Sequence, residues 1–312
     1  MRNTFTVTAV AALLASLSLA GTALAAGTGT GIDLKANETR IHVAKNPQAI
    51  AKLPQGFHFV QPGKFTVAIA ALNTPPLALF ASDNKTLIGS ESDIAQLVAD
   101  SLGLELNVVQ TSWEDWPLGV ASGKYDAAIT NVTVTKERKT RFDFATYRID
   151  SLGFYVKSGG KITSIKEAKD IAGLKIIVGS GTNQEAILLD WDKQNQQQGL
   201  KPLQPVYVTD DAAATLALQS GRADAYFGPN VMGAYKAALN GRTKLAGTVD
   251  GGWPKVAHIA VTTKKGNGLV YAVNEALNGV IQGGQYDQVL NRWGESVERI
   301  PHSEINPQGL GD

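Results

Sequence analysis

A run of polar and basic residues that follows a predicted buried strand has the composition of a carboxylate-binding site. The predicted strand covers residues 126–129 (DAAI), after the turn residues Ser122 and Gly123. Four residues beyond it carry hydroxyl or amide groups: Thr130, Asn131, Thr133 and Thr135. Thr135 can cap a short helix, and Arg138 lies one helical turn further on, where its planar guanidinium suits a carboxylate. The alternative is a polar loop followed by a solvated basic helix.

The elements that would position this site alternate between strand and helix. The strands are predicted at residues 65–71, 104–109, 126–129, 151–156, 175–178, 206–208, 224–227 and 256–263, and helices are predicted between most of them. Such alternation is typical of parallel sheets covered by helices. The sequence therefore predicts an α/β protein.

A short internal repeat predicts two similar lobes. Ser-Gly-Lys-Tyr-Asp-Ala at residues 122–127 recurs as Ser-Gly-Arg-Ala-Asp-Ala at residues 220–225, each time between a predicted helix and a predicted strand. Ligands of open α/β sheets bind beyond the carboxyl ends of the strands, so two facing lobes would form a cleft. Chance or shared turn chemistry is the alternative explanation of the repeat. We assign the side chains of Asp126 and Asp224 to turn structure.

Length and composition exclude several classes of protein. The chain has 312 residues, of which 44% are hydrophobic and 18% charged, enough for two cores and too apolar for general disorder. Its 29 Lys and Arg residues nearly balance 28 Asp and Glu residues, so nothing indicates nucleic-acid binding. Cysteine is absent, which excludes disulfides, thiolate metal sites and a lipid-bearing cysteine.

The N-terminus predicts export. Arg2 precedes an apolar stretch, and the small-residue pattern Ala23-Leu24-Ala25 predicts a signal peptide over residues 1–25. An uncleaved membrane anchor is the alternative. We expect a soluble periplasmic protein without a lipid anchor, in which residues 26–62 form a surface extension broken by prolines.

At this point the motifs resemble those of the extracytoplasmic solute-binding proteins of polar amino-acid ABC importers (bacterial solute-binding protein family 3). The matching series spans residues 63–294 and includes Gly89-x-Glu91-x-Asp93, Trp113, Thr133-x-Thr135-x-Glu137-Arg138, Phe142-Asp143-Phe144, Gly181-Thr182-Asn183-Gln184 and both copies of the repeat. The threonine and arginine motif followed by Phe-Asp-Phe is the most specific part.

This resemblance implies a periplasmic-binding-protein-like clamshell of two α/β lobes joined by two hinge strands. The first lobe would comprise residues 63–153 and 256–312, the latter including a C-terminal tail, and the second lobe residues 154–255. The hinge strands would be residues 151–156 and 256–263.

The resemblance also implies the ligand contacts. Residues that match Asn131, Thr133 and Arg138 hold the ligand α-carboxylate in that family, and the residue that matches Trp113 covers the ligand side chain. Thr182 and Asn183 match the contribution of the second lobe. Two of these residues have a purely structural alternative, because Thr182 and Glu185 form a helix capping box and Trp113 could belong to the core.

The chain departs from the family where the ligand amine should bind. The second lobe of the family supplies an aspartate after its repeat strand, whereas this chain has Gly228-Pro229-Asn230. Residues 70–73 (AALN) also lack the acidic and aromatic residues that often occur there. We therefore include Asn230, Glu91 and Asn73 among the ligand contacts, and the ligand could be a carboxylate without a free amine.

Three functions compete. The first is a monomeric capture protein that closes on an amino acid or related carboxylate and docks to an inner-membrane ABC permease, with no cofactor, metal or nucleic acid. The second is a periplasmic enzyme on the same fold, similar to cyclohexadienyl dehydratase, but the four histidines are scattered along the chain: His42, His58, His258 and His302. The third, a receptor sensor domain, would need a membrane segment after the lobes. We favour the first.

Overall fold

The computed structural model describes residues 40–70, 74–208 and 211–312. The predicted signal peptide lies outside the described residues, as do the first part of the N-terminal extension and Asn73.

The described residues form strands and helices in the following order. The strands are β1 (Lys64–Ala70), β2 (Leu79–Phe80), β3 (Leu87–Ile88), β4 (Glu105–Thr111), β5 (Ala127–Ala128), β6 (Phe142–Ile149), β7 (Ser151–Lys157), β8 (Lys175–Val178), β9 (Gln204–Tyr207), β10 (Ala225–Pro229), β11 (Thr243–Asp250) and β12 (His258–Lys264). The α-helices are α1 (Pro47–Ala51), α2 (Ser90–Leu102), α3 (Trp116–Ser122), α4 (Lys136–Lys139), α5 (Asn183–Gln197), α6 (Asp211–Gln219), α7 (Asn230–Asn240), α8 (Leu269–Gln282) and α9 (Gln285–Trp293).

The first lobe is built on a sheet of order β4-β1-β5-β12-β6. Strand β1 pairs in parallel with β4 and β5, whereas β12 runs antiparallel to β5 and β6. Five consecutive residues of β1, from Phe65 to Ile69, are buried, as expected for a strand covered on both faces. Helices α2, α8 and α9 contribute to the core on one face, and α3 packs on the other.

The second lobe is built on a sheet of order β11-β7-β10-β8-β9, in which β8 is parallel to β9 and β10 and β7 is antiparallel to β10 and β11. Its core is aromatic. Phe154 stacks on Phe227 with 4.0 Å between ring centroids, and Trp191 of α5 stacks on Phe154 at 5.9 Å. The predicted two-lobed α/β architecture is confirmed.

The chain passes between the lobes at two short links that hydrogen bond to each other. Asp150 lies between β6 and β7, and residues 251–257 lie between β11 and β12. The backbone N–H of Asp150 donates to the carbonyl of Ala257 (3.0 Å), and the N–H of Gly251 donates to the carbonyl of Asp150 (2.8 Å). The two predicted hinge strands begin at these links, with β7 in the sheet of the second lobe and β12 in the sheet of the first.

The repeated aspartates perform the same structural task in each lobe. Asp126 Oδ2 accepts a hydrogen bond from the backbone N–H of Thr66 in β1 (2.7 Å), and Asp224 Oδ2 accepts one from the N–H of Lys175 in β8 (2.8 Å). Each aspartate thus binds the neighbouring parallel strand, which agrees with the turn role predicted for both.

Three local predictions were wrong or incomplete. Strands β6 and β11 were not predicted, because Asp143, Thr146 and Arg148 interrupt the apolar pattern of β6 and β11 (TKLAGTVD) has few large apolar residues. Between β7 and β8, where the alternating pattern predicted a helix over residues 164–169, the structure has a 3₁₀ turn over Ala168–Ile171.

Both terminal segments lie against the first lobe. In the extension, His42 Nδ1 lies 2.7 Å from Asp100 Oδ2 of α2, and Asn46 caps α1. In the C-terminal tail, Leu310 exchanges backbone hydrogen bonds with the loop that leads to α4 and also packs against the core of the second lobe. Within the described ranges, no helix combines the length and apolarity that crossing a membrane requires.

Candidate functional site

A cavity of about 270 Å³ lies between the carboxyl ends of the strands of the two lobes. Its apolar wall includes Ile69, Leu77, Trp113, Phe227 and Met232, and its polar wall includes Glu91, Asn131, Thr182, Asn183 and Gln184. Both lobes contribute to it, which is the geometry that the repeat predicted.

The cavity brings together five of the nine predicted ligand contacts: Glu91, Trp113, Asn131, Thr182 and Asn183. Asn131 adopts a left-handed backbone conformation with φ of 52°, directly after the buried strand end. Glu91 lies in the first turn of α2 and is 1% exposed. The structure therefore places groups from a strand end, a helix start and the facing lobe around one small volume.

Arg138 lines an adjoining cavity of about 550 Å³. Its Nη1 donates to the carbonyl of Thr133 (2.9 Å) and its Nη2 to the carbonyl of Gly181 in the second lobe (3.1 Å), while the guanidinium carbon lies 5.3 Å from the centroid of the Trp113 ring. Burial lowers the pKa of Arg138 to about 10, so the group remains a cation at neutral pH. Trp113, Thr182 and Asn183 line both cavities, so Arg138 lies at their junction rather than inside the smaller one.

Thr133 does not line the smaller cavity, because its hydroxyl is engaged by a residue that we did not predict. Thr133 Oγ1 donates to Asp150 Oδ2 (2.7 Å), and Asn183 Nδ2 donates to the same oxygen (2.7 Å). Burial raises the pKa of Asp150, while these hydrogen bonds oppose the shift. The hinge carboxylate thus binds one predicted ligand contact from each lobe.

Asn230 is turned away from the cavity. Its Oδ1 accepts a hydrogen bond from the Tyr155 hydroxyl (2.8 Å), and the neighbouring Pro229 lines the cavity in its place. Asn73 lies outside the described residues. The roles assigned to these two residues stay predictions.

The start of α5 is capped by its own residues. Thr182 Oγ1 accepts from the N–H of Glu185 (3.2 Å), and Glu185 Oε2 accepts from the N–H of Gly181 (2.7 Å). Both hydrogen bonds belong to the structural alternative considered for the Thr182 motif. Thr182 also lines both cavities, so it caps the helix beside the candidate site, and its role in ligand binding stays a prediction.

Sequence reasoning missed a buried charged network beneath the cavity. Arg148 is 2% exposed and contacts Asn131 Oδ1 (2.6 Å), Glu91 Oε1 (3.4 Å), Glu295 Oε2 (3.3 Å) and Glu298 Oε2. The Tyr147 hydroxyl donates to Glu91 Oε2 (2.5 Å). The sequence offered two signals of this network: Arg148 lies among largely apolar residues, and two glutamates, Glu295 and Glu298, follow Trp293.

The network contains three carboxyl groups and one guanidinium. Burial raises the pKa of Glu91 to about 7 and that of Glu298 to about 7, because Arg148 offsets only part of the desolvation cost. The surrounding carboxylates raise the pKa of Arg148 well above its usual range. The network therefore holds protons near neutral pH and titrates as a coupled unit.

Among the residues that the structure describes, no group of three or more His, Asp or Glu side chains is arranged to hold a metal ion. The cavity instead presents hydrogen-bonding and apolar groups, with strand ends and a helix start from two lobes. These features define a two-lobed α/β solute-binding protein. The comparison with known sequences is specific: residues 66–296 match the bacterial extracellular solute-binding proteins, family 3, and the chain belongs to that family.

Relatives of known sequence and structure agree with this assignment. The chain is 32% identical over 232 residues to the L-cystine-binding protein TcyJ of Escherichia coli (strain K12), covering 73% of this chain and 82% of that protein. Its fold matches an ancestral arginine-binding protein bound to arginine, with a TM-score of 0.65, 27% identity and coverage of 74% of this chain and 98% of that one. It also matches the ancestral amino acid-binding protein AncCDT-1, described as a precursor of cyclohexadienyl dehydratase, with a TM-score of 0.63, 24% identity and coverage of 74% and 95%.

Proposed function

We propose that this protein is the periplasmic component of an ABC importer that captures an amino acid between its two lobes. The observation that supports this function most directly is the cavity at the strand ends, which is lined by predicted ligand contacts from both lobes. The chain also belongs to a family of solute-binding proteins. The relatives named for L-cystine and arginine support an amino acid as the ligand class.

The ligand carboxylate binds at the junction of the two cavities, where Arg138 already bridges the lobes through two carbonyl groups. A carboxylate is a stronger acceptor for guanidinium than a carbonyl, so the ligand replaces or adds to these contacts. The ligand side chain extends into the smaller cavity beside Trp113. Closing of the lobes over the ligand is the signal that an inner-membrane permease reads.

The proposal also covers localisation, oligomeric state and domain boundaries. The predicted signal peptide directs the chain to the periplasm, where it acts as a monomer, and the lobe boundaries are those proposed from the sequence.

A ligand screen tests the capture function. The standard amino acids and L-cystine are titrated into the protein by calorimetry after denaturation and refolding, which removes any ligand carried from the cell. We expect at least one to bind, and Arg138→Ala to weaken it at least about tenfold. Arg141→Ala is the matched control, because Arg141 lines the larger cavity but is exposed and packs on Phe142. Equal affinity of the Arg138 variant and the wild type would refute the carboxylate assignment.

The second candidate function is catalysis, which is favoured by the carboxyl group of Glu91 in the cavity wall. A cavity carboxyl group whose pKa is about 7 has the proton affinity of a general acid or base at neutral pH. Incubation with a cyclohexadienyl acid, followed by absorbance of the aromatic product, tests this function. We expect no turnover above the rate without protein.

A further inference from the structure

The smaller cavity has a strongly asymmetric charge distribution. Of its described lining residues, Glu91 is the only one with an ionisable acidic or basic side chain of Asp, Glu, Lys, Arg or His type. The second-lobe residues that face it, among them Gly228 and Pro229, supply no carboxylate. A cationic group of a ligand in this cavity therefore meets its countercharge in the first lobe.

A second, independent feature points to a hydrogen-bond donor on the ligand. Gln184 of α5 lines the cavity, is 6% exposed, and its Oε1 has no hydrogen-bond partner among the described residues. A buried acceptor without a partner is unfavourable, and an N–H group of a ligand would satisfy it. Glu91 and Gln184 belong to different lobes, so a group bound by both would hold the cleft closed.

We propose that Glu91 and Gln184 together bind the ammonium group of the ligand, in place of the missing second-lobe aspartate, and that this binding releases a proton from the network around Arg148. The inference rests on the proposed capture function and specifies its ligand as one that carries an amine at the cavity end.

The proton release follows from the charges that surround Glu91. Arg148 and the Tyr147 hydroxyl face its carboxyl group from β6, the Asn131 N–H faces it from the strand end, and Glu295 and Glu298 lie across Arg148. Three carboxylates cannot all ionise beside one buried guanidinium at low cost. An ammonium group adds the missing positive charge, so the proton held by the network leaves to the buffer and the carboxylate remains.

When an amine ligand binds, we expect the protein to release protons to the buffer. Because the network is partly protonated near neutral pH, an amine ligand should release a measurable fraction of a proton there. The affinity for that ligand should rise between about pH 6 and about pH 8 and then level off. A deaminated analogue should release none.

Calorimetry in two buffers of different ionisation enthalpy measures this release. The probes are L-cystine and dithiodipropionic acid, and L-arginine with its deaminated analogue. We expect proton release with the amino acid that binds, and at least about tenfold weaker binding of its deaminated analogue. Glu91→Gln should abolish the release and the pH dependence, whereas Glu105→Gln, an exposed carboxylate of β4, should leave both unchanged.

Gln184→Leu provides a second variant if Glu91→Gln does not fold. It should reduce the preference for the amino acid over its deaminated analogue while proton release persists. Equal binding of both analogues without proton release would overturn this inference and leave the capture function intact. No binding of any amino acid or analogue would overturn the capture function, and the inference with it.

Discussion

The two lobes share a scaffold but differ in how they carry charge. Each has a mixed sheet with two parallel and two antiparallel pairings, and a repeat aspartate that binds the neighbouring strand, Asp126 in one lobe and Asp224 in the other. The first lobe buries Arg148 with three glutamates directly behind the cavity. The second lobe faces the cavity with neutral groups, including Gln184, Phe227 and Pro229. The two lobes thus share one scaffold, while the charged groups at and behind the cavity belong to the first lobe.

This division assigns different tasks to the lobes. Buried charges need a fixed set of partners, and Arg148 has them in α2, in the loop after β5 and in the segment after α9, which all belong to the first lobe. The second lobe faces the cavity with uncharged residues, so it can move away from the first lobe without separating an ion pair of this network. Arg138 bridges the lobes through carbonyl groups alone, which also limits the electrostatic cost of opening.

Replacement of Arg148 should have the largest effect on stability. Arg148→Met removes the positive charge among Glu91, Glu295 and Glu298, and loss of one partner from a buried network costs about 3–5 kcal/mol. Urea unfolding monitored by tryptophan fluorescence measures the change. Arg242→Ala in the second lobe is the control, since that arginine is exposed and should change stability by about 0.5 kcal/mol or less. Similar losses for both variants would remove the proposed difference between the lobes.

The pH dependence of stability should report the same network. The pKa of Glu91 and that of Glu298 rise from 4.5 to about 7 on folding, mainly through burial. The folded state then binds more protons than the unfolded state between these values, so the free energy of unfolding should fall as pH rises through this window. We expect a loss of several kcal/mol between about pH 5 and about pH 8, since two groups titrate there, measured by urea unfolding.

Glu91→Gln should flatten this profile, because the amide does not titrate. A wild-type profile that stays flat or rises across the same window would show that these carboxyl groups do not take up protons on folding, and would contradict the assignment.

The repeat aspartates offer the smallest and most closely matched comparison. Asp126 is 5% exposed and also accepts from the N–H of Val60 (2.8 Å), so Asp126→Ala should cost about 2–3 kcal/mol. Asp224 is half-buried and binds the N–H of Lys175 alone, so Asp224→Ala should cost about 1 kcal/mol. Thermal unfolding of both variants measures the order, and the reverse order would contradict a scaffold held more firmly in the first lobe.

The sequence was sufficient to predict features that depend on local pattern. Apolar runs located β1 and β8, Thr135 and Thr182 located the starts of α4 and α5, and the repeat predicted the two lobes. Strand β6 was missed because its polar residues are buried by partners far along the chain. Arg148 contacts Glu298, and Asn306 binds the backbone of Phe144, neither of which a local pattern reveals.

Several residues named from the sequence lie around one cavity, among them Glu91, Trp113 and Asn131, and their contacts with a ligand stay predictions. The hydrogen bonds of Thr133 and Asn183 to Asp150 were not predicted, because they depend on where the chain crosses between the lobes. The position of Arg138 at the junction of two cavities likewise depends on how closely Gly181 of the second lobe approaches the first lobe. Long-range geometry of this kind has no signal in residue types or spacing.

The contact between the two links across the hinge restricts how the sequence can diverge. A Cβ atom at Gly251 would lie 2.0 Å from Asp150 Oδ2, so any side chain there displaces the carboxylate that binds Thr133 and Asn183. Substitutions at Gly251 and Asp150 should therefore be coupled in evolution, although 101 positions separate the two residues in the sequence. Homologues that gain a side chain at the first position should have lost the carboxylate at the second, and the two substitutions should occur together along a lineage.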